Sequence, residues 1–168
     1  MKNPVFPADS IVKDIRYDYC DMFSCTADSS DRLTADNIQV DFWTVMPGWV
    51  SGLMKLRNAL VRPFGLKTEK GYSSAEEFEK NIRNGNNSGM FKVVGKTDKE
   101  TVLLLGDSHL DAYVSVYVED NNERQTVYAT TLVVFHNALG RVYFSVICPF
   151  HKIIVKSMLL RTVKRLTA

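Results

Sequence analysis

The spacing of hydrophobic residues changes near Met90. Before that point, after a first strand-like stretch, apolar residues recur every three to four positions, which is typical of amphipathic helices. From Met90 onward they alternate with polar residues over short runs, which is typical of strands. Short polar turns separate these runs, so neighbouring strands should be antiparallel. The predicted strands are Tyr17–Thr26, Met90–Lys96, Thr101–Asp107, Leu110–Glu119, Gln125–His136 and Arg141–Ile147.

Capping residues predict where the helices begin. Thr34 can cap a helix that starts at Ala35, and this helix should end near Met46 because Pro47 and Gly48 follow. Polar caps and apolar stripes predict the other helices in the same way. They are a turn within Ser10–Arg16, a helix at Trp49–Val61 and a long helix at Pro149–Leu166. A further short helix should follow the capping box that begins at Ser74 and end at Arg83, with Phe78 and Ile82 facing inward.

The C-terminal helix is the longest predicted element. Pro149 should end the preceding strand, because proline is tolerated at the first position of a helix. A curved antiparallel sheet must bury its concave face, and this helix is the only long apolar element left to fill it. The predicted fold is therefore α+β, with a curved sheet wrapped around the C-terminal helix. The helix face expected to meet the sheet carries His151, Val155, Met158, Leu159, Thr162 and Leu166.

A pocket is expected beside this helix, mostly apolar with a few polar groups. On Gln125–His136, the small side chains of Ala129 and Thr131 leave room for it. The strand Leu110–Glu119 alternates so cleanly that one of its faces should be covered and the other wet.

Composition indicates an ordinary globular protein. The chain has 168 residues, 45% of them hydrophobic and 24% charged, with a net charge of +2, which predicts a single domain over residues 1–168. The acids are concentrated near the N-terminus, and Arg141–Ala168 holds six cations and no acid. The two ends could pack together, or the basic end could face anionic partners. The interleaving of basic and apolar residues favours the first interpretation.

Cys20, Cys25 and Cys148 show no zinc-binding spacing and cannot all pair with one another. A reduced, cytoplasmic protein is the simplest expectation. There is no apolar signal core at the N-terminus, and no run approaches the ~20 apolar residues of a membrane span.

Several local motifs resemble a known family, and they extend from about Asp18 to Met158: Asp18–Phe23, Pro47–Val50 with Leu53–Asn58, Phe64–Lys67, and Leu139–Tyr143 with Pro149–His151. They are similar to an uncharacterised bacterial family whose members occur alone or fused behind short-chain-reductase-like (NmrA-like) domains. The order of elements resembles the START-like, or helix-grip, superfamily of lipid-transfer and birch-allergen-like proteins. That resemblance implies six to seven strands, with one missing or hidden between Leu66 and Met90. It brings no established reaction.

Three polar residues have competing interpretations. His151, predicted in the first turn of the terminal helix, could act as a general base or orient a ligand, or could simply pack there with a bond to backbone. Arg57 could lay its stem on apolar surface, or could be buried and hold a ligand carboxylate. Asp21 interrupts an apolar strand face, so it must either be paired or lie at a bulge or at the solvated rim, and a bulge or rim position is favoured.

The main functional hypothesis is a binding protein for a small, largely apolar or amphipathic molecule. The predicted ligand-binding residues are Arg57, Ala129, Thr131, His151, Val155 and Met158. One alternative is a cyclase, lyase or hydrolase that uses His151 as acid–base. Another is a homodimer formed through the apolar circumference of the terminal helix, including Ile153 and Leu160. No nucleotide, serine-hydrolase or zinc-protease motif occurs, and no metal, cofactor, nucleic acid or integral membrane contact is predicted.

Overall fold

A computed structural model describes residues 4–28, 32–53, 74–121 and 123–168. Helices lie before and after the main run of strands, so the fold is α+β. In chain order the elements are a 3-10 turn at Ile11–Asp14, β1 (Tyr19–Asp28), α1 (Ala35–Thr44), α2 (helical over residues 48–53), α3 (Ala75–Arg83), β2 (Phe91–Lys96), β3 (Glu100–Gly106), β4 (Leu110–Asp120), β5 (Arg124–Phe135) and α4 (Ala138–Leu166).

The strands form one curved antiparallel sheet in the order β1-β5-β4-β3-β2. Five of the predicted strands are confirmed, with ends that differ by one or two residues. β1 pairs with β5 without a bulge, and Asp21 lies opposite Thr131 in this register. Within the described residues the sheet has five strands, so the expected six or seven are not found there.

The sixth predicted strand, Arg141–Ile147, is wrong. These residues belong to α4, whose first turn is capped by Asn137: the side-chain Oδ1 accepts the Gly140 N–H at 3.0 Å. β5 already has β1 on one edge and β4 on the other, so the chain that follows it cannot form a hairpin with β5. Pro149 therefore lies inside α4 rather than at its start. It costs one helical hydrogen bond, which the surrounding turns tolerate.

The helices cover one face of the sheet. α4 and α1 pack there side by side, and α3 packs against β2 and β3 through Phe78 and Ile82, both fully buried as expected. The predicted caps of α1 and α3 are confirmed, since Thr34 accepts the Asn37 N–H and Ser74 accepts the Glu77 N–H. The main core cluster joins α1, α4 and the middle of the sheet, with Ile38, Phe42, Val116, Val127, Ala129, Val155, Met158, Leu159 and Val163 among its members.

The opposite face of the sheet is covered too, which corrects the expectation that one face of β4 is wet. Ser115 and Tyr117 on that face are buried under the N-terminal segment. Glu100, fully buried, fastens the segment by accepting hydrogen bonds from Ser10 Oγ (2.9 Å), the Ile11 N–H (2.5 Å) and Ser115 Oγ (2.5 Å). The apolar residues near the N-terminus were a signal that this segment packs on something, but the strands that it covers lie far away in the sequence.

The acidic N-terminal part and the basic C-terminal part do pack together. Arg141 contacts Asp18 at 3.0 Å, and Arg165 forms an ion pair with Asp41, a nearly buried carboxylate on α1. The pKa of Asp18 is lowered, first by the hydrogen bond from the Phe135 N–H and then by Arg141. The uneven charge distribution is therefore used, in part, to attach α4 to the rest of the molecule.

Candidate functional site

The predicted binding residues are placed on the helix side of the sheet. Ala129, Val155 and Met158 are buried members of the main core cluster, and Thr131 is buried on β5. His151 lies on the inner side of α4 and is only partly buried. Arg57 lies outside the described residues.

His151 is near the middle of α4, not in its first turn. The predicted position in the first turn is therefore wrong, and the helix dipole, whose effect is confined to the end turns, does not act on His151. What His151 meets instead is a carboxylate. Its Nε2 is 3.3 Å from Asp21 Oδ2 on β1, an ion-pair distance, but the two groups lack the alignment of a hydrogen bond.

Five side chains form what we call the polar cluster: Tyr19, Asp21, Thr131, Cys148 and His151. Tyr19 and Asp21 are two apart on β1 and so share a face, while Cys148 and His151 are one turn apart on α4. The Tyr19 hydroxyl donates to Asp21 Oδ2 at 2.7 Å. Asp21 Oδ2 therefore faces both the Tyr19 hydroxyl and the His151 ring.

Asp21 is deeply placed for a carboxylate. Its side chain is 9% exposed and that of His151 is 19% exposed, so solvent reaches the pair only narrowly. Of the two alternatives for Asp21, the paired one is found, since the strand has no bulge there. A buried carboxylate needs polar partners, and Asp21 has the Tyr19 hydroxyl and, 3.3 Å away, the His151 ring.

Three buried atoms of the polar cluster have no hydrogen-bond partner among the described residues. They are Asp21 Oδ1, Thr131 Oγ1 and His151 Nε2. Buried polar atoms in folded proteins are nearly always hydrogen-bonded, and each one left unsatisfied costs about 1–3 kcal/mol. Three of them at one place are therefore a feature that packing alone does not explain.

Burial and the nearby carboxylate keep Tyr19 and the neighbouring Cys20 protonated. The pKa of Tyr19 is raised far above its ordinary value, chiefly by burial and then by its hydrogen bonds with Asp21 and Cys148. Burial, followed by the Asp21 charge, raises the pKa of the neighbouring Cys20 thiol to about 12. At neutral pH Tyr19 is consequently a hydrogen-bond donor, not a nucleophile.

Aromatic rings surround the polar cluster. The Phe144 ring lies 4.7 Å from Tyr19 and 5.9 Å from His151, centroid to centroid, and Phe135 packs behind it at 5.6 Å. Lys152 Nζ lies 5.8 Å from the centroid of the Tyr19 ring. These aromatic rings are therefore suited to contact apolar groups on either side of the polar cluster.

An open groove continues the same seam between β1 and α4. It has a volume of about 820 Å³ and lies beyond the polar cluster, toward the end of both elements. Asp21 and Cys25 are four residues apart on β1, which separates the two places by roughly 13 Å. The groove is lined by Cys25, Thr26, Ala27, Asp28, Arg124, Leu160, Val163, Lys164 and Thr167.

Sequence reasoning identified His151 and Thr131 but not the side chains that complete the polar cluster. Tyr19 and Cys148 gave no chemical signal on their own, because their meeting depends on how α4 crosses β1. Asp21 did give one, as a carboxylate in an apolar alternation, although the rim was favoured. Among the described residues, no group of three or more His, Cys, Asp or Glu side chains is arranged to hold a metal ion.

A comparison with protein families matches most of the chain. The family model of DUF2867, described as a protein of unknown function, covers residues 15–158. The chain belongs to the DUF2867 family. The polar cluster lies entirely within the matched region, whereas the last turns of α4 and part of the groove lie beyond it. No curated protein matches the chain. Membership of an uncharacterised family is thus confirmed, and the family itself assigns no activity.

Proposed function

We propose that this DUF2867 protein binds a small, largely apolar molecule whose polar end sits at the polar cluster, in the seam between the sheet and α4. The observation that carries the proposal is the set of unpartnered buried atoms on Asp21, Thr131 and His151. A hydrogen-bonding group of a ligand would satisfy them. The aromatic rings of Tyr19 and Phe144 would flank its apolar part.

The polar cluster also limits the chemistry of that polar end. Asp21 Oδ1 accepts hydrogen bonds when ionised, and the Thr131 hydroxyl can accept or donate. A hydroxyl, amide or ammonium group fits this arrangement. A ligand carboxylate would face Asp21 at close range, which like-charge repulsion opposes.

The fold gives further support. A curved antiparallel sheet with a long C-terminal helix on its inner face is the layout of a helix-grip, START-like domain, and we assign this chain to that fold as part of the proposal. In such a layout a seam between helix and sheet is where a ligand enters. The apolar tail would then run toward Leu160 and Val163 in the groove. A cytoplasmic location and the absence of a nucleic-acid partner stay predictions from the sequence.

Four probes with one ten-carbon chain test the proposal: decanol, decanamide, decylamine and decanoate. We expect calorimetric titration to show binding of the first three and at least tenfold weaker binding of decanoate. Asp21→Asn should remove this preference, while Asp98→Asn on an exposed turn should keep it. Failure of all four probes to bind, together with native mass spectra of the purified protein that show only the bare chain, would refute the proposal.

A second candidate function, acid–base catalysis, is favoured by one observation, the 3.3 Å contact of His151 with Asp21. The charge of a carboxylate near Nε2 favours the tautomer with the proton on Nε2. Nδ1 would then be the nitrogen that takes a proton from a substrate. A lyase, cyclase or hydrolase could use such a base.

The tautomer of His151 can be measured without a substrate. Nitrogen-15 NMR should show the Nε2–H form of neutral His151 in the parent chain and a mixture of tautomers in Asp21→Asn. His136, which pairs with Asp111 at 3.1 Å, is the internal control and should not change. An identical His151 spectrum in both chains would remove the catalytic candidate and leave the binding proposal intact.

A further inference from the structure

We propose that the outer face of α4 docks on an anionic lipid surface. Five large apolar side chains project from this face, all of them substantially exposed, and the spacing between them is helical. We call them the apolar stripe: Val142 (64% exposed), Val146 (57%), Phe150 (49%), Ile153 (61%) and Leu160 (47%). Contiguous exposed apolar side chains of this kind mark an interaction surface.

The length of α4 makes the apolar stripe continuous. Because the helix runs through Pro149, it is 29 residues long, and by length and composition alone it could span a membrane. Only 22% of its most apolar stretch is buried. This differs from the sequence-based expectation, in which Pro149 divided the apolar run into a strand and a helix.

The charges beside the apolar stripe are all positive. Lys156 and Lys164 are one turn from Leu160 on either side, and Arg161 follows it directly. All three are exposed, and none has an ion-pair partner in the part of the chain that the structure describes. Apolar residues bordered by lysine and arginine are typical of helices that lie in the interface of anionic membranes.

The same charges argue against a second copy of the chain as the occupant. α4 carries no acidic residue, so two stripes packed together would bring cations near cations with no carboxylate from either helix between them. A full membrane crossing is also disfavoured, because it would pull Val155, Leu159 and Val163 out of the core. Docking at the lipid surface leaves the fold intact and covers the apolar stripe.

The docking proposal goes beyond the ligand site and does not depend on it. The two places nevertheless meet, since Leu160 and Lys164 belong both to the docking face and to the lining of the groove. A docked α4 would hold the mouth of the groove at the lipid headgroups. Partly apolar molecules could then pass between the lipid and the groove without crossing bulk water.

Sedimentation of the full chain with vesicles tests the proposal. We expect binding to phosphatidylcholine vesicles that contain 30% phosphatidylserine, weaker binding as salt is raised, and little binding to pure phosphatidylcholine. Each cation near an anionic surface contributes about a fivefold change in affinity. The variant Lys156→Gln/Arg161→Gln/Lys164→Gln should therefore bind about 100-fold more weakly.

Matched controls separate the docking face from general charge and hydrophobicity. The variant Arg16→Gln/Lys80→Gln/Lys92→Gln removes the same net charge from exposed positions elsewhere and should bind like the parent. Val146→Ser/Ile153→Ser should lower the affinity at least tenfold, and Val94→Ser, also an exposed valine (44%), should not. Thermal unfolding by circular dichroism verifies that each exposed substitution leaves the fold in place.

Three results would overturn the proposal. One is a parent chain that does not sediment with anionic vesicles. Another is an equal loss of binding in the two triple variants, which would mean that net charge alone is responsible. The third is a concentration-dependent dimer in sedimentation velocity that Val146→Ser/Ile153→Ser abolishes, without vesicle binding, because the apolar stripe would then join two copies of the chain.

Discussion

The polar cluster should lower the stability of the fold, and this can be measured. In the variant Tyr19→Phe/Asp21→Val/His151→Leu, apolar side chains of similar size replace the buried polar ones. If the cluster exists to meet a ligand, the unliganded variant should be more stable than the parent, because functional sites retain arrangements that are unfavourable for folding.

The magnitude follows from the contacts. Asp21 Oδ1 and His151 Nε2 have no hydrogen-bond partner among the described residues, and removing each relieves about 1–3 kcal/mol. The variant loses the 2.7 Å hydrogen bond from Tyr19 to Asp21, a charge-assisted bond that contributes about 1.5–3 kcal/mol. From the central values, the net gain should be about 2 kcal/mol, within the range of about 1–4 kcal/mol seen when buried ion pairs are replaced by apolar side chains.

Urea denaturation at pH 7 is the assay. With a slope of about 2 kcal/mol per molar urea, a gain of 2 kcal/mol moves the midpoint up by about 1 M. The variant should also lose the binding of decanol. A variant that is less stable than the parent by about 1 kcal/mol or more would refute the reasoning, since the polar cluster would then be part of what holds the fold together.

Glu100 provides the contrasting control. It is also a buried carboxylate, but its oxygens accept three hydrogen bonds from the N-terminal segment and Ser115. Glu100→Met leaves those donors without an acceptor, so it should destabilise by about 3–5 kcal/mol in the same assay. Changes of opposite sign in the free energy of unfolding would distinguish a carboxylate that stabilises the fold, Glu100, from one that is kept for binding, Asp21.

Three further predictions concern α4, close packing and alkaline pH. Pro149→Ala restores a helical N–H and should raise the free energy of unfolding by about 1–3 kcal/mol in urea; a loss would show that the proline is needed for the packing of α4. Gly140→Ala places a methyl group 2.2 Å from the His109 carbonyl oxygen and should lower the free energy of unfolding by about 1–3 kcal/mol. Gly52→Ala meets nothing within 4 Å and should raise it by about 0.5–1 kcal/mol. Equal effects of the two substitutions in urea would contradict this. Burial raises the pKa of Cys20 to about 12 in the folded chain, from 9.0 in the reference state. The contribution of the neutral thiol to the free energy of unfolding is therefore complete below pH 9. It is lost between pH 9 and about 12, by at most ~1.4 kcal/mol per pH unit. Cys20→Ala should flatten the decline in urea midpoint between pH 8 and 10.5, and an unchanged slope would contradict the assignment.

Local chemistry was enough to predict most of the elements. The caps at Thr34 and Ser74 act on N–H groups three residues away, so the sequence alone places them. Alternation of side chains placed β2–β5 within one or two residues for the same reason. Glycine and asparagine are common in Asn84–Gly89, as positive φ requires, and φ is 71° at Gly85 and 58° at Gly89.

Only part of the site could be predicted from the sequence. The residues that local patterns identify could be found, but contacts between residues far apart along the chain could not. His151 could be proposed because it shares a helix face with apolar neighbours. Its partner Asp21 is 130 residues earlier, and whether that carboxylate was paired or solvated depended on which element crossed β1. The sequence contains both residues, but not the fact that they meet.

What the sequence determined by itself was therefore the set of local elements and an α+β composition with a long C-terminal apolar stretch. The tertiary structure alone decided whether Arg141–Ile147 became strand or helix. Its alternating Val142, Phe144 and Val146 suit a strand, but β5, the strand just before them, has both edges occupied and cannot pair with them as a hairpin. The same residues therefore continue α4 through Pro149, which moves His151 to the middle of the helix, opposite Asp21, and leaves the apolar stripe exposed. Backbone hydrogen bonds between distant strands are a property of the assembled sheet, and no local pattern records which edges will be free.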